Sequence, residues 1–419
     1  MIDTPIVDFL EEYANSGTER LHMPGHKGKL TISGIDLGRF DVTEISGADD
    51  LYHPTGIIKK SEQNVSKLFG CRTFYSTEGA SQCIKTMLFL ALQRYKRVTS
   101  FSDEKPFIAA AGNVHKSFIH AAALLDVDVE WIQTEKSDNT DEINGIISPQ
   151  DLERRLSMLP KAPMAVYLTY PDYLGGCCNL REISKICHER EIPLLTDGAH
   201  SAYFYGLDSE RFPKYQAPFL YSDMCVSSAH KTLPVLTGGA YLHCPEHTLM
   251  SDFEPSAIKA AMSLFGSSSP SYLILASLDN CNKYMSSDFK EELSDCVEKI
   301  RGVKESLIKN GWKVLESDPL RISVISAGSG LPERLRRAGF EYEMSDENFT
   351  VLMFTPSNGD IFELLTETFG ICDAADVSIK PKRRYIDYTG ASTSIRDAVF
   401  SPMTSPEFLN PPCPPAIPH

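Results

Sequence analysis

Apolar positions recur along this chain with two periods, and the periods alternate. In the opening stretch MIDTPIVDFLEEYANSG, Ile6, Phe9, Leu10 and Tyr13 are spaced as on one helix face, which predicts a short amphipathic helix. From Leu21 to about Ile58 no period is visible and glycine is frequent, so the segment reads as loop. KKSEQNVSKLFG then has helical spacing, as does ASQCIKTMLFLALQRYK behind the turn STEG. FIAAAG, VDVEWI, MAVYLTYP and IPLLTDGAH are short apolar runs of strand length, and YSDMCV and GGAYLHC are two more. Between them HKSFIHAAALL and LREISKICHERE are helical. Asn179 is placed to cap the second, and Ser148-Pro149 has the cap-then-proline order of another helix start. This alternation predicts an α/β fold with a mainly parallel sheet covered by helices.

The pattern is helical again from about Ser269 to Lys309. After Trp312, GWKVLE, LRISVIS, LPERLRRAGF, FTVLMFTP and DIFELLTETFG predict a second, smaller α/β unit. The stretch SPMTSPEFLNPPCPPAIPH is too rich in proline for a regular helix or a central strand, and is expected to be an extended arm or tail. The expected organisation is an N-terminal helix and arm over 1–58, a large domain over 59–268, a linking helix and small α/β domain over 269–400, and a Pro-rich tail over 401–419.

Composition narrows the function. The 419 residues carry a net charge of −15, which argues against nucleic acid or an anionic membrane surface as the main partner. No apolar run approaches membrane-spanning length, and the acidic start has no basic region of a signal peptide. The 11 cysteines are odd in number and form no C-x-x-C pair; Cys177 and Cys178 are adjacent, a poor geometry for a disulfide. Reduced thiols in a cytoplasmic protein are expected. No metal site is expected.

Ligands of open parallel sheets bind beyond the carboxyl ends of the strands, so the polar residues there carry the chemistry. Three places stand out. YSTEGASQ feeds a helix N-terminus, with Gly79 and Ala80 leaving backbone N–H groups approachable by a phosphate. LLTDGAH ends a buried-looking strand on Asp197. SSAHKTLP puts Lys231, among small hydroxyl residues, on a turn after another strand. Each alone is an ordinary turn, cap or surface residue. Together they fit pyridoxal phosphate, which needs an anion cradle, a carboxylate against its ring nitrogen and a lysine for a Schiff base. His115, at a helix start, could lie against the ring.

The motifs also resemble, in order, those of the ornithine/lysine/arginine decarboxylase group of fold-type-I pyridoxal-phosphate enzymes. LHMPGHKG, DVTEISGADDLYHPTGII, GNVHKS, LTYPDYLGG, TDGAHSAYF and SSAHKTLPVLT match its signatures between about residues 21 and 240, and SIRDAVFSP extends the match more weakly. The resemblance implies a fold-type-I large domain plus a smaller C-terminal α/β domain. It implies Lys231 as the Schiff-base lysine, Asp197 on the ring nitrogen, and Ala199 under the ring with His115 on its other face. It also places Gly79, Ala80, Ser81, Ser228 and His230 at the phosphate and His200 beside the cofactor. The activity implied is α-decarboxylation of arginine, lysine or ornithine to the corresponding polyamine or diamine, by a homodimer or larger homo-oligomer. Asp41, Glu44, Asp49 and Asp50 are candidates for pairing with a distal positive charge on the substrate.

The chain departs from the group's pattern at Glu78-Gly79-Ala80-Ser81, where Asn-Gly and two hydroxyl residues are usual. It also carries Gly112, Gly198 and Gly238 in place of Arg, Glu and Gln, and NPPCPPAIPH in place of a YPPGIP-like segment. Only about twenty residues precede the PGHK region, as in a short branch lacking the receiver-like wing. These departures keep two rivals open. One is an aminotransferase or lyase on the same fold. The other is a degenerate, non-catalytic relative.

Overall fold

The computed structural model describes residues 2–99, 104–132, 146–370 and 394–400. The expected Pro-rich tail over 401–419 lies outside the described residues.

The first helix, α1 (Pro5–Asn15), buries Ile6 and Leu10, as the apolar spacing requires. The loop-like segment after it carries only a two-residue hairpin, β1 (Thr31–Ile32) with β2 (Ile35–Asp36). Helix α2 (Ile57–Phe69) follows and ends on Gly70 in the left-handed conformation that glycine tolerates best.

A seven-stranded sheet then forms from β3 (Arg72–Ser76), β4 (Phe107–Ala111), β5 (Asp128–Ile132), β6 (Val166–Thr169), β7 (Leu194–Asp197), β8 (Met224–Ser227) and β9 (Ala240–Cys244), in the order β3-β9-β8-β7-β6-β4-β5. The pairs β4–β5, β4–β6, β6–β7 and β7–β8 are parallel, whereas β9 runs antiparallel to both β8 and β3. Every residue of β7, β8 and β9 is buried, as expected of strands covered on both faces. The covering helices include α3 (Gly79–Val98), α4 (Lys116–Leu125), α5 (Pro149–Met158) and α6 (Leu180–His188). Ser148 and Asn179 cap α5 and α6 through their side chains, as the sequence predicts.

Beyond the one-turn helix α7 (Ala229–Thr232) and α8 (Pro255–Ser263), the long helical pattern divides into α9 (Tyr272–Met285) and α10 (Phe289–Lys309). The break falls where the Ser286 and Ser287 hydroxyls donate to the Lys283 carbonyl and so compete with the helical ladder. A second, antiparallel sheet has the order β10-β12-β11, from β10 (Arg321–Ile325), β11 (Met344–Ser345) and β12 (Phe349–Met353). Helices α11 (Leu331–Arg337) and α12 (Phe362–Phe369) accompany it, and α13 (Ile395–Phe400) returns to α4, where Arg396 Nη1 donates to the Ala123 carbonyl.

The sheets share one connected apolar core, which runs from Ile6 through the large sheet to Phe369. Their seam combines an apolar contact of Leu174 with Met344 and Val351 and a buried polar cluster. Arg321, 1% exposed, donates from Nη1 to the carbonyls of Asp172 (2.8 Å) and Tyr173 (2.7 Å) and pairs through Nε with Asp318 Oδ2 at 3.2 Å. Ser323 Oγ donates to the Leu174 carbonyl, and the Asp318 N–H to that of Gly175. The loop after β6 is thereby held to the start of β10.

Candidate active site

The carboxyl ends of β3, β4, β7 and β8 deliver the candidate groups to one edge of the large sheet. Asp197 is the last residue of β7 and is 2% exposed. Its Oδ1 accepts the Ala199 N–H at 3.1 Å and its Oδ2 the Tyr167 hydroxyl at 3.2 Å. Among the described residues no cation lies within ion-pair distance of it. A buried carboxyl group with no cation beside it has room in its surroundings for a cationic partner.

Lys231 sits in α7, one turn past the end of β8, where its N–H bonds the Ser228 carbonyl. Its Nζ is 3.1 Å from His200 Nε2. The Lys231 side chain is exposed to solvent, yet the protein around its amine desolvates it. Desolvation by that surrounding protein lowers its pKa, Arg321 adds to the lowering, and Asp197 and Glu343 oppose it. His200, 6% exposed, is held well below its ordinary pKa by burial, then by Lys231 and Arg321. It is therefore neutral. Its Nε2 faces the Lys231 amine, and its Nδ1 has no hydrogen-bond partner among the described residues.

His115 caps α4. Its Nδ1 accepts the Ser117 N–H at 3.2 Å and lies 3.0 Å from Ser117 Oγ. Like Lys231 it is exposed; desolvation lowers its pKa, Asp197 opposes this, and Lys231 assists it. Ser117 Oγ in turn lies 2.7 Å from Ser81 Oγ, so the N-termini of α3 and α4 meet through a hydroxyl pair. Gly79, at φ +69°, gives its N–H to the Gly238 carbonyl at 2.7 Å. That leaves the N–H groups of Ala80 and Ser81 as the orphan donors of the first turn of α3. His230 is bound through Nδ1 to the Gly239 carbonyl at 2.9 Å. Ser228 is buried beside it.

The departures have structural counterparts. A Cβ on Gly198 would stand 2.7 Å from the Val226 carbonyl oxygen, and one on Gly238 2.8 Å from that of Thr77. No side chain fits at either place. Nothing stands within 4 Å of a Cβ on Gly112, which is open.

The four arm acids do not act as one cluster. Asp49 accepts the N–H groups of Thr55, Gly56, Ile58 and Lys59 and anchors the start of α2. Asp50 accepts those of Tyr52 and His53. Asp41 pairs with His26 at 3.0 Å. Glu44 is exposed, with no hydrogen bond or ion pair among the described residues. The spacing of the acids in the sequence did not reveal that two of them serve backbone turns. Conversely, sequence reasoning passed over Tyr167, Ser117, Tyr173 and Glu343. The Tyr173 ring stands edge-on to that of His200 at 5.7 Å, and its hydroxyl donates to Glu343 Oε1 at 2.9 Å. The GNVHKS motif, which ends on Ser117, and the T-x-P-x-Y pattern around Tyr173 carried a signal; nothing in the sequence marked Tyr167 or Glu343.

Residues 4–328 match the family model described as Orn/Lys/Arg decarboxylase, major domain. The chain belongs to this family. Within reach of it, the chain is 30% identical over 378 residues to the uncharacterized protein YaaO of Bacillus subtilis (strain 168), covering 85% of this chain and 75% of that one. It is 27% identical over 396 residues to an arginine decarboxylase of the same organism, covering 87% and 77%. Among solved structures, the Francisella novicida lysine decarboxylase LdcF superposes with a TM-score of 0.70 at 17% identity, over 88% of this chain and 59% of that one. The chain thus spans about three fifths of that decarboxylase. A serine palmitoyltransferase of Sphingomonas wittichii superposes with a TM-score of 0.56 at 14% identity, covering 88% and 82%. The fold is that of fold-type-I pyridoxal-phosphate enzymes, an α/β architecture with a mainly parallel central sheet, and the family implies this cofactor. Among the described residues no helix is long and apolar enough to cross a membrane.

Proposed function

We propose that this chain is a pyridoxal-phosphate-dependent decarboxylase of a basic amino acid, releasing CO₂ and the corresponding diamine or polyamine. The observation that carries the reading is the pairing of Lys231 Nζ with a neutral His200, 3.1 Å apart, beside a buried Asp197 with no cation of its own. The residues fit the cofactor. Lys231 would hold its aldehyde carbon, and Asp197 its protonated ring nitrogen. His115 and Ala199 would flank the ring. Ala80 and Ser81, with Gly79 shaping the turn, and Ser228 and His230 would hold the phosphate. Bound pyridoxal phosphate supplies an electron-withdrawing ring that takes up the electron pair left by a departing carboxylate.

The chain's own residues do the rest. The lowered pKa of Lys231 keeps a share of its amine unprotonated and nucleophilic. The hydrogen bond between His200 Nε2 and Lys231 Nζ keeps the amine oriented. Two hydrogen bonds, from the Tyr167 hydroxyl and the Ala199 N–H, hold the Asp197 carboxyl group in one orientation toward the atom it would face. Lys231 Nζ and His200 Nε2, 3.1 Å apart, would be the pair of groups able to exchange a proton at this point of the site. The site is built at the edge of the sheet with Lys231 and His115 open to solvent, which supports a homodimer whose second copy closes it.

The test is CO₂ release from arginine, lysine, ornithine, glutamate, tyrosine and norleucine, with borohydride reduction of the holoenzyme and peptide mapping. We expect release from one or more of the first three and the reduced cofactor on Lys231. A keto acid product would assign an aminotransferase instead. A colourless protein that the cofactor cannot reconstitute would make the chain non-catalytic.

A further inference from the structure

We infer that Glu343, on the segment entering β11, is the residue that reads the distal positive charge of the substrate; this rests on the decarboxylase reading above. A basic amino acid needs an acid that faces the reacting end, is partly shielded from water, and is not already neutralised. The arm acids fail on one count or another. Asp49 and Asp50 are spent on backbone N–H groups, Asp41 is paired with His26, and Glu44 is exposed.

Glu343 meets all three. It is half-buried, and among the described residues no cation pairs with it. Oε1 is held at 2.9 Å by the Tyr173 hydroxyl, which leaves Oε2 for a second donor. Its carboxylate is tied to the reacting lysine by a short chain of contacts: Glu343 to Tyr173, the Tyr173 ring to His200 at 5.7 Å, and His200 Nε2 to Lys231 Nζ at 3.1 Å. The carboxylate is also close enough to oppose the desolvation of Lys231. Tyr173 is itself fixed, because Arg321 holds its carbonyl at 2.7 Å. Glu343 therefore arrives pre-oriented, and a pre-oriented carboxylate loses little freedom on accepting an ammonium or guanidinium.

The experiment measures binding of lysine, arginine and norleucine to the holoenzyme by titration calorimetry, with CO₂ release in parallel. Glu343→Gln keeps the size of the side chain and an acceptor for Tyr173 but removes the charge. We expect the preference for the basic amino acid over norleucine to fall about ten- to hundredfold, with the bound cofactor's absorbance and norleucine binding unchanged. Tyr173→Phe, which releases the carboxylate without removing it, should give a smaller loss of the same preference, and it decides the matter if Glu343→Gln does not fold. An unchanged preference in these variants overturns the inference. So does its collapse in Glu44→Gln instead, or a Glu343→Gln variant that shifts only the pH midpoint of Lys231. Preferential binding of basic amino acids without CO₂ release would refute the decarboxylase reading and leave Glu343 as the charge reader.

Discussion

Gly198 illustrates what a single residue decides here. It lies between Asp197 and Ala199, and a Cβ there would meet Ser201 Oγ at 2.5 Å and the Val226 carbonyl oxygen at 2.7 Å. The serine is buried and the carbonyl belongs to β8, so neither yields easily. We expect Gly198→Ala to lower the unfolding free energy by about 1–3 kcal/mol in urea titration, and to weaken cofactor binding as β7 and β8 are pushed apart. Lys231, Asp197, His115 and His200 stood out as candidates in the sequence because each lies at or just past a strand end within a motif. The environment of each was not legible. That His200 faces Lys231, that Tyr167 holds Asp197, and that Gly198 is walled in depend on contacts between residues far apart in the chain. A family usually carrying glutamate at that position would have suggested room for one, and there is none.

At the scale of the element, α1 was readable from the spacing of four apolar residues, but what fastens it was not. Thr4 gives the helix no side-chain cap. The cap comes from Asp279 of α9, whose Oδ2 accepts the N–H groups of Ile6 and Val7 at 2.8 and 3.1 Å while Oδ1 accepts the Ser61 hydroxyl. Burial raises the Asp279 carboxyl from its ordinary 3.8 to about 6, against the lowering by those donors. The folded protein therefore binds a proton that the unfolded chain releases near pH 4. The stability this carries is fully present below about pH 4 and is lost as pH rises through about 6. A shift of this size corresponds to roughly 2–3 kcal/mol across that window. Asp279→Asn should flatten the decline in urea-unfolding free energy between pH 4 and 7.5 by that amount. An unchanged slope would mean that Asp279 is ionised throughout.

The alternation of strand and helix made six of the seven strands of the large sheet legible, because parallel strands must be linked by crossovers and the crossover helices carry their own period; β3 was read only as the turn before α3. The reversal of β9 was not legible, since GGAYLHC reads as a strand in either direction. Its direction follows from the connection Ser228–Gly239, which holds only the four-residue α7 and offers nothing long enough to carry the chain back along the sheet. The second sheet was visible as a further α/β pattern, but its attachment was not: an arginine at the start of a strand gives no sign that it will be enclosed. Arg321, held by two carbonyls of the loop after β6 and by Asp318, joins the sheets through groups that neither side could leave unsatisfied without cost. Heat should therefore find no weak plane between them. We expect the apoprotein to absorb heat in one peak on scanning calorimetry, with the calorimetric enthalpy matching the van't Hoff value. Arg321→Met should split that peak in two, the second sheet giving way first and leaving the large sheet to melt alone.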